Sequence, residues 1–273
     1  MRTDALFHVF RNTPFGRDTF MQSAYFAGKL SLPIIVYIPK HRQFLMYFEN
    51  KAVTVDLDKA FLNDPKTAHD HVDQLVKTHR LDAHFIEPTD FTALDLPDMP
   101  TDFRFMCCPR SISDLSTKIG LGYIGPKVRQ IILHAKFPVL IPTPVFKPWH
   151  RIMAFFGGSE NAIAAVKVAL QLSRESGVPL QLFTVANRKP KSAYEALLNE
   201  NGLLGQLNAQ QTDWMFFSKG GFSKLLYEVP SDVLAVVGAY GHGVIREMIF
   251  GSKMERIQTI LPNNMLIVGP NCV

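Results

Sequence analysis

The glycines that follow the apolar run 233–237 constrain the fold more than any other feature of the sequence. Gly238 and Gly241 form a Gly-x-x-Gly pattern, and Gly251-Ser252 follows after nine residues. Such a pattern predicts a strand that leads into an anion-binding helix start. Glycine lets the backbone approach a phosphate closely, and the first N–H groups of a helix point at the negative charge. The Ser252 hydroxyl is placed to bond either the helix or a ligand oxygen.

The C-terminal half of the chain alternates between apolar runs and segments with helical spacing. Strands are predicted at 151–156, 180–186, 214–217, 233–237 and 265–268, with helices between them. The first of these helices, over 160–176, is predicted to have Ser159 as its N-cap. This alternation predicts a parallel sheet that is covered by helices on both faces. Ligands of such sheets bind beyond the carboxyl ends of the strands. We therefore expect Gly157, Val185 and Gly238 to lie close together.

The N-terminal half repeats features of the C-terminal half in the same order. Residues 100–102 (Pro-Thr-Asp) precede one apolar run, residues 230–232 (Pro-Ser-Asp) precede another, and Gly125 matches Gly251. Three prolines within 142–148 break regular structure between the two halves. The sequence therefore predicts two copies of one α/β domain, at 1–146 and 147–273.

The glycine pattern resembles the nucleotide loop of the universal stress protein family, in its ATP-binding branch. The predicted helix 253–260 and the closing strand 264–268 fit the same family. The resemblance covers nearly the whole chain and implies a tandem member. Each domain would be flavodoxin-like or Rossmann-like, with a mostly five-stranded parallel sheet, and the C-terminal domain would carry the nucleotide loop.

The resemblance also implies a ligand and roles for individual residues. The implied ligand is ATP or another adenine nucleotide, with or without Mg²⁺. Val185 would offer backbone groups to the adenine edge. The residues that would line or contact the phosphates are Gly238, Gly241, His242 and Gly243, and those that would hold the triphosphate end are Gly251, Ser252 and Lys253. The alternative at each position is that the glycines only permit a tight turn and that Gly251-Ser252 only starts a helix.

Gly157 departs from the family pattern. ATP-binding members end the first strand in an aspartate that bonds the nucleoside, and here the matching stretch 155–159 is Phe-Phe-Gly-Gly-Ser. The loss of a charged acceptor removes on the order of 1.5–3 kcal/mol, which is roughly ten- to a hundredfold in affinity. The glycine at position 157 is compatible with weaker nucleotide binding and also with binding of a different ligand.

The N-terminal copy departs further from the pattern. Pro109-Arg110 follows the apolar run without a Gly-x-x-Gly, and Gly125 is followed by Pro126 instead of serine. Proline removes an N–H that a phosphate would use, although it suits the first turn of a helix. We expect this copy to be a structural partner without a nucleotide. Arg110 is expected to be a surface arginine, with contact to an anion as the alternative. The apolar segment 40–50 is expected to cover a groove or a partner surface.

The composition excludes several other classes of protein. With 47% hydrophobic and 19% charged residues and no long apolar run, the sequence predicts a cytoplasmic protein without a membrane segment or signal peptide. The net charge is +5, but dispersed basic residues argue against nucleic-acid binding. Cys107-Cys108 are expected to be buried hydrophobes and not a redox pair. The histidines at 69, 71 and 79 lack a recognised zinc spacing, so no metal site is expected.

Together these features predict a stress-response protein that acts by binding. Occupancy of the C-terminal domain by an adenine nucleotide or a similar anion would bias contacts with an unknown protein partner. No catalytic arrangement is evident, so we expect at most slow, incidental ATP hydrolysis. The closing strands 139–141 and 265–268 would pair within the chain as a pseudo-dimer, and a further homodimer is allowed but not required. The alternative is a nucleotide-free stress or scaffold protein that binds a partner protein or a small hydrophobic molecule.

Overall fold

The computed structural model describes residues 3–49, 51–62, 64–92, 95–110, 123–186, 189–240 and 252–272. The chain divides into two compact units, Met1–Lys147 and Pro148–Val273, which we call the N-terminal unit and the C-terminal unit. In the described residues, no helix combines the length and the apolar character needed to cross a membrane.

The N-terminal unit is built on a parallel sheet. Its elements are β1 (Thr3–Val9), α1 (Pro14–Lys29), β2 (Ile34–Tyr37), β3 (Gln43–Phe48), β4 (Lys51–Asp56), α2 (Pro65–His79), β5 (Ala83–Ile86), β6 (Asp98–Met99), β7 (Phe103–Cys107), α3 (Pro126–His134) and β8 (Val139–Ile141). The main sheet has the strand order β8-β7-β1-β2-β5, and neighbouring strands are parallel. Leu6 and Phe7 of the central strand are fully buried, as expected for a strand that is covered on both faces.

An antiparallel hairpin interrupts the strand–helix alternation of this unit. Strands β3 and β4 pair along their whole length, and β6 adds to β3 in parallel. Phe44 and Met46 are fully buried, and the Phe44 ring packs edge-on against Tyr37. The segment 40–50, which was expected to cover a groove or a partner surface, therefore buries most of its apolar side chains in this hairpin. Tyr47 is the exception, with half of its surface exposed.

The C-terminal unit follows the predicted alternation without a hairpin. Its elements are β9 (Arg151–Phe155), α4 (Glu160–Ser176), β10 (Leu180–Val185), α5 (Lys191–Glu200), α6 (Leu204–Ala209), β11 (Asp213–Phe217), α7 (Phe222–Leu225), β12 (Val233–Gly238), α8 (Ser252–Ile260) and β13 (Met265–Val268). The strand order is β11-β10-β9-β12-β13, and all neighbouring pairs are parallel. The fold-class prediction of α/β units with parallel sheets flanked by helices is confirmed.

Among the described residues, each main sheet has five strands arranged in the same order. Reading along the sheet, the third, second, first, fourth and fifth strands of each unit are neighbours. The order in which successive strands are added to the sheet reverses between the first and fourth strands, which are β1 and β7 in one unit and β9 and β12 in the other. In open sheets of this type, the crevice beyond these two strand ends is where ligands bind.

A buried histidine lies in the core of the N-terminal unit. His8 is on β1, pairs in register with Cys107 on β7, and its Nδ1 lies 2.8 Å from the hydroxyl oxygen of Ser23 on α1. Among the described residues, Nε2 has no hydrogen-bond partner. Complete burial lowers the pKa of His8 from 6.5 to about 3, because the charged ring would lose its hydration. The folded protein therefore holds this ring neutral.

The free energy of unfolding should decrease as the pH falls through the range in which His8 becomes protonated in the unfolded chain. Between pH 6.5 and pH 3 the unfolded state binds a proton that the folded state does not, so the free energy of unfolding decreases as the pH falls. From pH 7 to pH 4.5 this histidine should account for a loss of about 2.5 kcal/mol. Urea denaturation at several pH values should show that His8→Asn removes this component of the slope. The exposed-histidine control His41→Asn should keep it, and an equal slope in His8→Asn would contradict the prediction.

Candidate ligand-binding site

A cavity of about 150 Å³ lies at the carboxyl ends of β9, β10 and β12 in the C-terminal unit. This is the point where the strand order reverses, between the first and fourth strands. One part of its lining is apolar and comprises Phe155, Phe183, Phe222, Val237, Met254 and Ile257. The other part is backbone and small polar groups and comprises Gly157, Ser159, Gly238 and Tyr240. The cavity thus offers apolar surface to a flat ring and polar groups to a hydrophilic edge.

The predicted site residues fall into three groups in the structure. Gly157, Val185 and Gly238 line the cavity, as expected from their positions at strand ends. Ser252 and Lys253 are the first two residues of α8, although the description does not extend to their side chains. The other four predicted residues, Gly241, His242, Gly243 and Gly251, lie outside the described residues. Ligand contact at all nine positions stays a prediction.

Gly238 is required by the packing of the unit, independently of any ligand. A Cβ atom at this position would lie 2.2 Å from the carbonyl oxygen of Asn161 and 2.9 Å from the amide nitrogen of Ala162. The first turn of α4 therefore rests directly on the end of β12. The Asn161 side-chain amide also donates a hydrogen bond to the carbonyl of Ala239, which holds the two elements together. The sequence analysis assigned Gly238 to phosphate binding alone and missed this contact.

The start of α4 forms one wall of the cavity. Ser159 has extended backbone geometry, and its hydroxyl accepts a hydrogen bond of 3.2 Å from the amide of Ala162. This is the N-cap that the sequence predicts. The helix has 17 residues, so its N-terminus brings partial positive charge to the cavity wall, partly offset by Glu160 in the first turn.

A buried hydrogen-bond chain fixes the strand end that precedes Gly157. The hydroxyl of Thr184 donates to the carbonyl of Phe156 at 2.9 Å, and the indole N–H of Trp214 donates to the same hydroxyl at 2.9 Å. The Phe156 ring packs edge-on against Tyr194 and lies against the Trp214 ring. These contacts join three elements beneath the cavity and hold the backbone at 156–157 in one position.

Gly157 has room for a side chain. A Cβ atom at this position meets no other atom within 4 Å, and its φ is outside the left-handed region. The space that an aspartate would occupy in ATP-binding universal stress proteins is therefore open and borders the cavity.

Several lining residues were not foreseen from the sequence. Tyr240 lies between the two glycines of the Gly-x-x-Gly pattern and has φ of 61°, a left-handed conformation that is uncommon for tyrosine. Phe222, Met254 and Ile257 contribute apolar surface from α7 and α8. Tyr240 had a sequence signal in its position inside the pattern. The sequence gives no such indication for the other three residues, because apolar residues on a helix are expected in any protein core.

Other candidate chemistries do not gather into a site within the part of the chain that the structure describes. No group of three or more His, Cys, Asp or Glu side chains there is placed to hold a metal ion. His69 stacks on Phe85, and His71 bonds Asn12. Cys107 and Cys108 are buried and free, as expected. Burial raises the pKa of Cys107 to about 12 and that of Cys108 well above its ordinary value, which disfavours the reactive thiolates.

Solved structures show what the chain is similar to. A universal stress protein from Archaeoglobus fulgidus DSM 4304 aligns with 98% of this chain over 99% of its own length, with a TM-score of 0.63 at 15% identity. A protein of unknown function from Pseudomonas aeruginosa PAO1 aligns with 99% of this chain over 93% of its own, with a TM-score of 0.61 at 10% identity. The chain has the universal stress protein fold.

At these identities the likeness extends to the fold and not to the function. The cytoplasmic domain of a prokaryotic cation chloride cotransporter also aligns with 97% of this chain over 95% of its own length, with a TM-score of 0.51 at 11% identity. No protein-family model matches the sequence, and no curated protein matches it. The function must therefore be argued from the site.

Two glycine substitutions should separate packing from ligand binding. Gly238→Ala places a methyl group against the backbone of Asn161 and should lower the free energy of unfolding by about 1–3 kcal/mol. Gly157→Ala enters open space and should change it by less than about 0.5 kcal/mol. Urea denaturation without ligand measures both. Equal stability of the two variants would refute the packing role of Gly238.

Proposed function

We propose that this chain is a tandem universal stress protein that binds an adenine nucleotide, or a similar anionic ligand, in its C-terminal unit. In this proposal occupancy regulates contacts with a protein partner, and the chain acts by binding and not by catalysis. The observation that carries the proposal is the cavity at the ends of β9, β10 and β12, into which three of the nine predicted site residues open.

The lining of the cavity fits the chemistry of an adenine nucleotide. Phe155, Phe183 and Val237 offer apolar surface for a base. A helix begins at Ser252, after the glycine pattern, so its first N–H groups are available to an anion. When bound, the nucleotide would supply the negative charge that this helix start favours. Mg²⁺ would accompany ATP through the phosphates, because no acidic cluster for it occurs among the described residues.

The tandem arrangement is supported by the common strand order of the two units. We propose that the two arose from one domain and that the C-terminal copy alone keeps the nucleotide site. The N-terminal copy has Pro126 at the first position of α3, where the C-terminal copy has Ser252 at the start of α8. Pairing of the closing strands within the chain and formation of a homodimer stay predictions, as does the cytoplasmic location.

A second candidate function rests on the apolar half of the cavity. Apolar residues make up most of its lining, and Gly157 stands where a carboxylate would select a nucleoside. A protein with such a site could instead bind a small hydrophobic molecule or an apolar segment of a partner without any nucleotide. The two candidates differ in whether charge at the start of α8 controls affinity.

Restoring the missing carboxylate should strengthen nucleotide binding. A Cβ atom at position 157 meets no other atom within 4 Å, so Gly157→Asp places an acceptor beside the cavity, and it should raise the affinity for ATP or AMP by about ten- to a hundredfold. Isothermal titration calorimetry of the full chain measures this change.

The matched control for this gain is Gly205→Asp. It makes the same chemical change at an exposed glycine of α6 that is also free of contacts and does not line the cavity. It should leave the affinity unchanged. A gain in both variants would indicate a general effect of charge, and no gain in Gly157→Asp would favour the hydrophobic ligand.

Charge at the start of α8 should control the binding of phosphate groups. Ser252→Asp suits the first turn of a helix but repels a phosphate, so it should reduce ATP affinity at least about tenfold without loss of stability. Ser252→Asn, which has nearly the same shape and no charge, serves as its control. Native mass spectrometry with ATP and Mg²⁺ should show one nucleotide per chain in the control and an empty chain in Ser252→Asp. Equal occupancy of both variants would exclude the proposed phosphate contact.

A further inference from the structure

The N-terminal unit has a cavity of its own at the corresponding place in its sheet. It measures about 230 Å³ and lies beyond the carboxyl ends of β1 and β7, the first and fourth strands of that unit. Its lining includes Arg11, Phe15, Gly16, Phe61 and Arg110. Two arginines line this cavity, whereas no arginine is among the residues that line the one in the C-terminal unit.

Arg11 is held in place by a buried ion pair. Its Nη2 lies 3.0 Å from the Oδ2 atom of Asp58, whose side chain is only 3% exposed. The guanidinium carbon lies 5.4 Å from the centre of the Phe61 ring, which fixes the plane of the group. The Nε–H is buried and makes no hydrogen bond within the described part of the chain. The Arg11 side chain is 31% exposed and lines the cavity, so its terminal N–H groups are the ones that a ligand can reach.

Arg110 brings a second cation to the same cavity. The backbone carbonyl of Arg110 accepts a hydrogen bond of 2.7 Å from the amide of Gly125, which fixes the chain where it leaves β7. The side chain is partly buried, and the desolvation lowers the pKa of the guanidinium. Arginine stays charged under such conditions. Arg110 thus lies partly exposed at the rim of a cavity, where it can meet an anion.

The start of α1 adds to the positive potential of the cavity. This helix has 16 residues and no acidic side chain in its first turn, so its dipole is not offset there. A Cβ atom at Gly16 would lie 1.8 Å from the carbonyl oxygen of Arg11. The glycine therefore lets the helix start approach the Arg11 backbone, and both groups face the same cavity.

The remaining walls of the cavity are apolar. The Phe15 ring is 60% exposed, an unusual state for a phenylalanine, while Phe61 is buried. Pro142 and Pro144 follow β8 and close another side. Two guanidinium groups beside an exposed ring match a ligand that has a charged head and an apolar body. The strand end lacks the Gly-x-x-Gly pattern, so the fit to a polyphosphate is poor.

We propose that the cavity of the N-terminal unit binds a small organic anion, with its carboxylate or phosphate head on the guanidinium groups of Arg110 and Arg11 and its apolar body against Phe15. Both heads match the fork of guanidinium donors. The inference does not depend on nucleotide binding in the C-terminal unit, because the two cavities share no residues.

Titration calorimetry on the full chain tests the proposal with simple probes. Benzoate presents a carboxylate on a phenyl ring, and phenyl phosphate presents a phosphate on the same kind of ring. At least one of them should bind with a dissociation constant of about 1 mM or below. Benzyl alcohol, which lacks the charge, and inorganic phosphate, which lacks the ring, should each bind at least about tenfold more weakly. No binding of either anion, or equal binding of benzyl alcohol, would overturn the proposal.

Variants assign the binding to this cavity. Arg110→Gln should weaken the better anion at least about tenfold, and Arg42→Gln, at an exposed arginine of the same unit outside the cavity, should not change it. Phe15→Ala removes an exposed ring that the fold does not need and should weaken the same anion at least about threefold. If Arg110→Gln does not fold, Phe15→Ala still tests whether the anion binds in this cavity. Unchanged affinity in Phe15→Ala and in a folded Arg110→Gln would place the ligand elsewhere and refute the assignment.

Discussion

In both units, backbone atoms of a helix start lie against backbone atoms at the end of a strand or just beyond it. In the C-terminal unit the first turn of α4 rests on Gly238, and in the N-terminal unit Gly16 of α1 rests on the carbonyl of Arg11. Neither approach leaves space for a Cβ atom. The contacts set how far each helix lies from the point where the sheet reverses its order, and so they set the size of the crevice that remains. The position of each cavity follows from this spacing.

The same architecture carries different electrostatics in the two units. The cavity of the C-terminal unit is bordered by glycines and helix starts, so its positive charge comes from backbone amides. The cavity of the N-terminal unit draws its charge from Arg11 and Arg110, and Arg11 is paired with Asp58. Backbone amides suit the distributed charge of a phosphate chain, whereas a guanidinium fork suits a compact head. The two proposed sites would thus select different classes of anion.

The sequence predicts the parallel sheets because their strands are short, continuous apolar runs, and it predicts the start of α4 because Ser159 is a strong N-cap. The hairpin of β3 and β4 escapes prediction. Its residues Phe44 and Met46 are as apolar as a central strand, and periodicity does not reveal with which strand a run pairs. The packing role of Gly238 is hidden for a similar reason, since its partner Asn161 is remote in sequence. Arg110 lines the same cavity as Phe61 and Pro142, and no local pattern connects it to these residues.

The contact between Gly238 and Asn161 affects what a glycine at this position can tell about the ligand that an ancestral protein bound. Because the fold itself needs this glycine, selection for stability would preserve it in a lineage that had ceased to bind any nucleotide. A descendant of that kind would still present the first glycine of the signature after a strand. Gly157, in contrast, is under no such steric constraint, and its position can change freely between lineages. The identity of the residue at the end of the first strand is therefore a better historical marker of ligand use than the glycine at the end of the fourth.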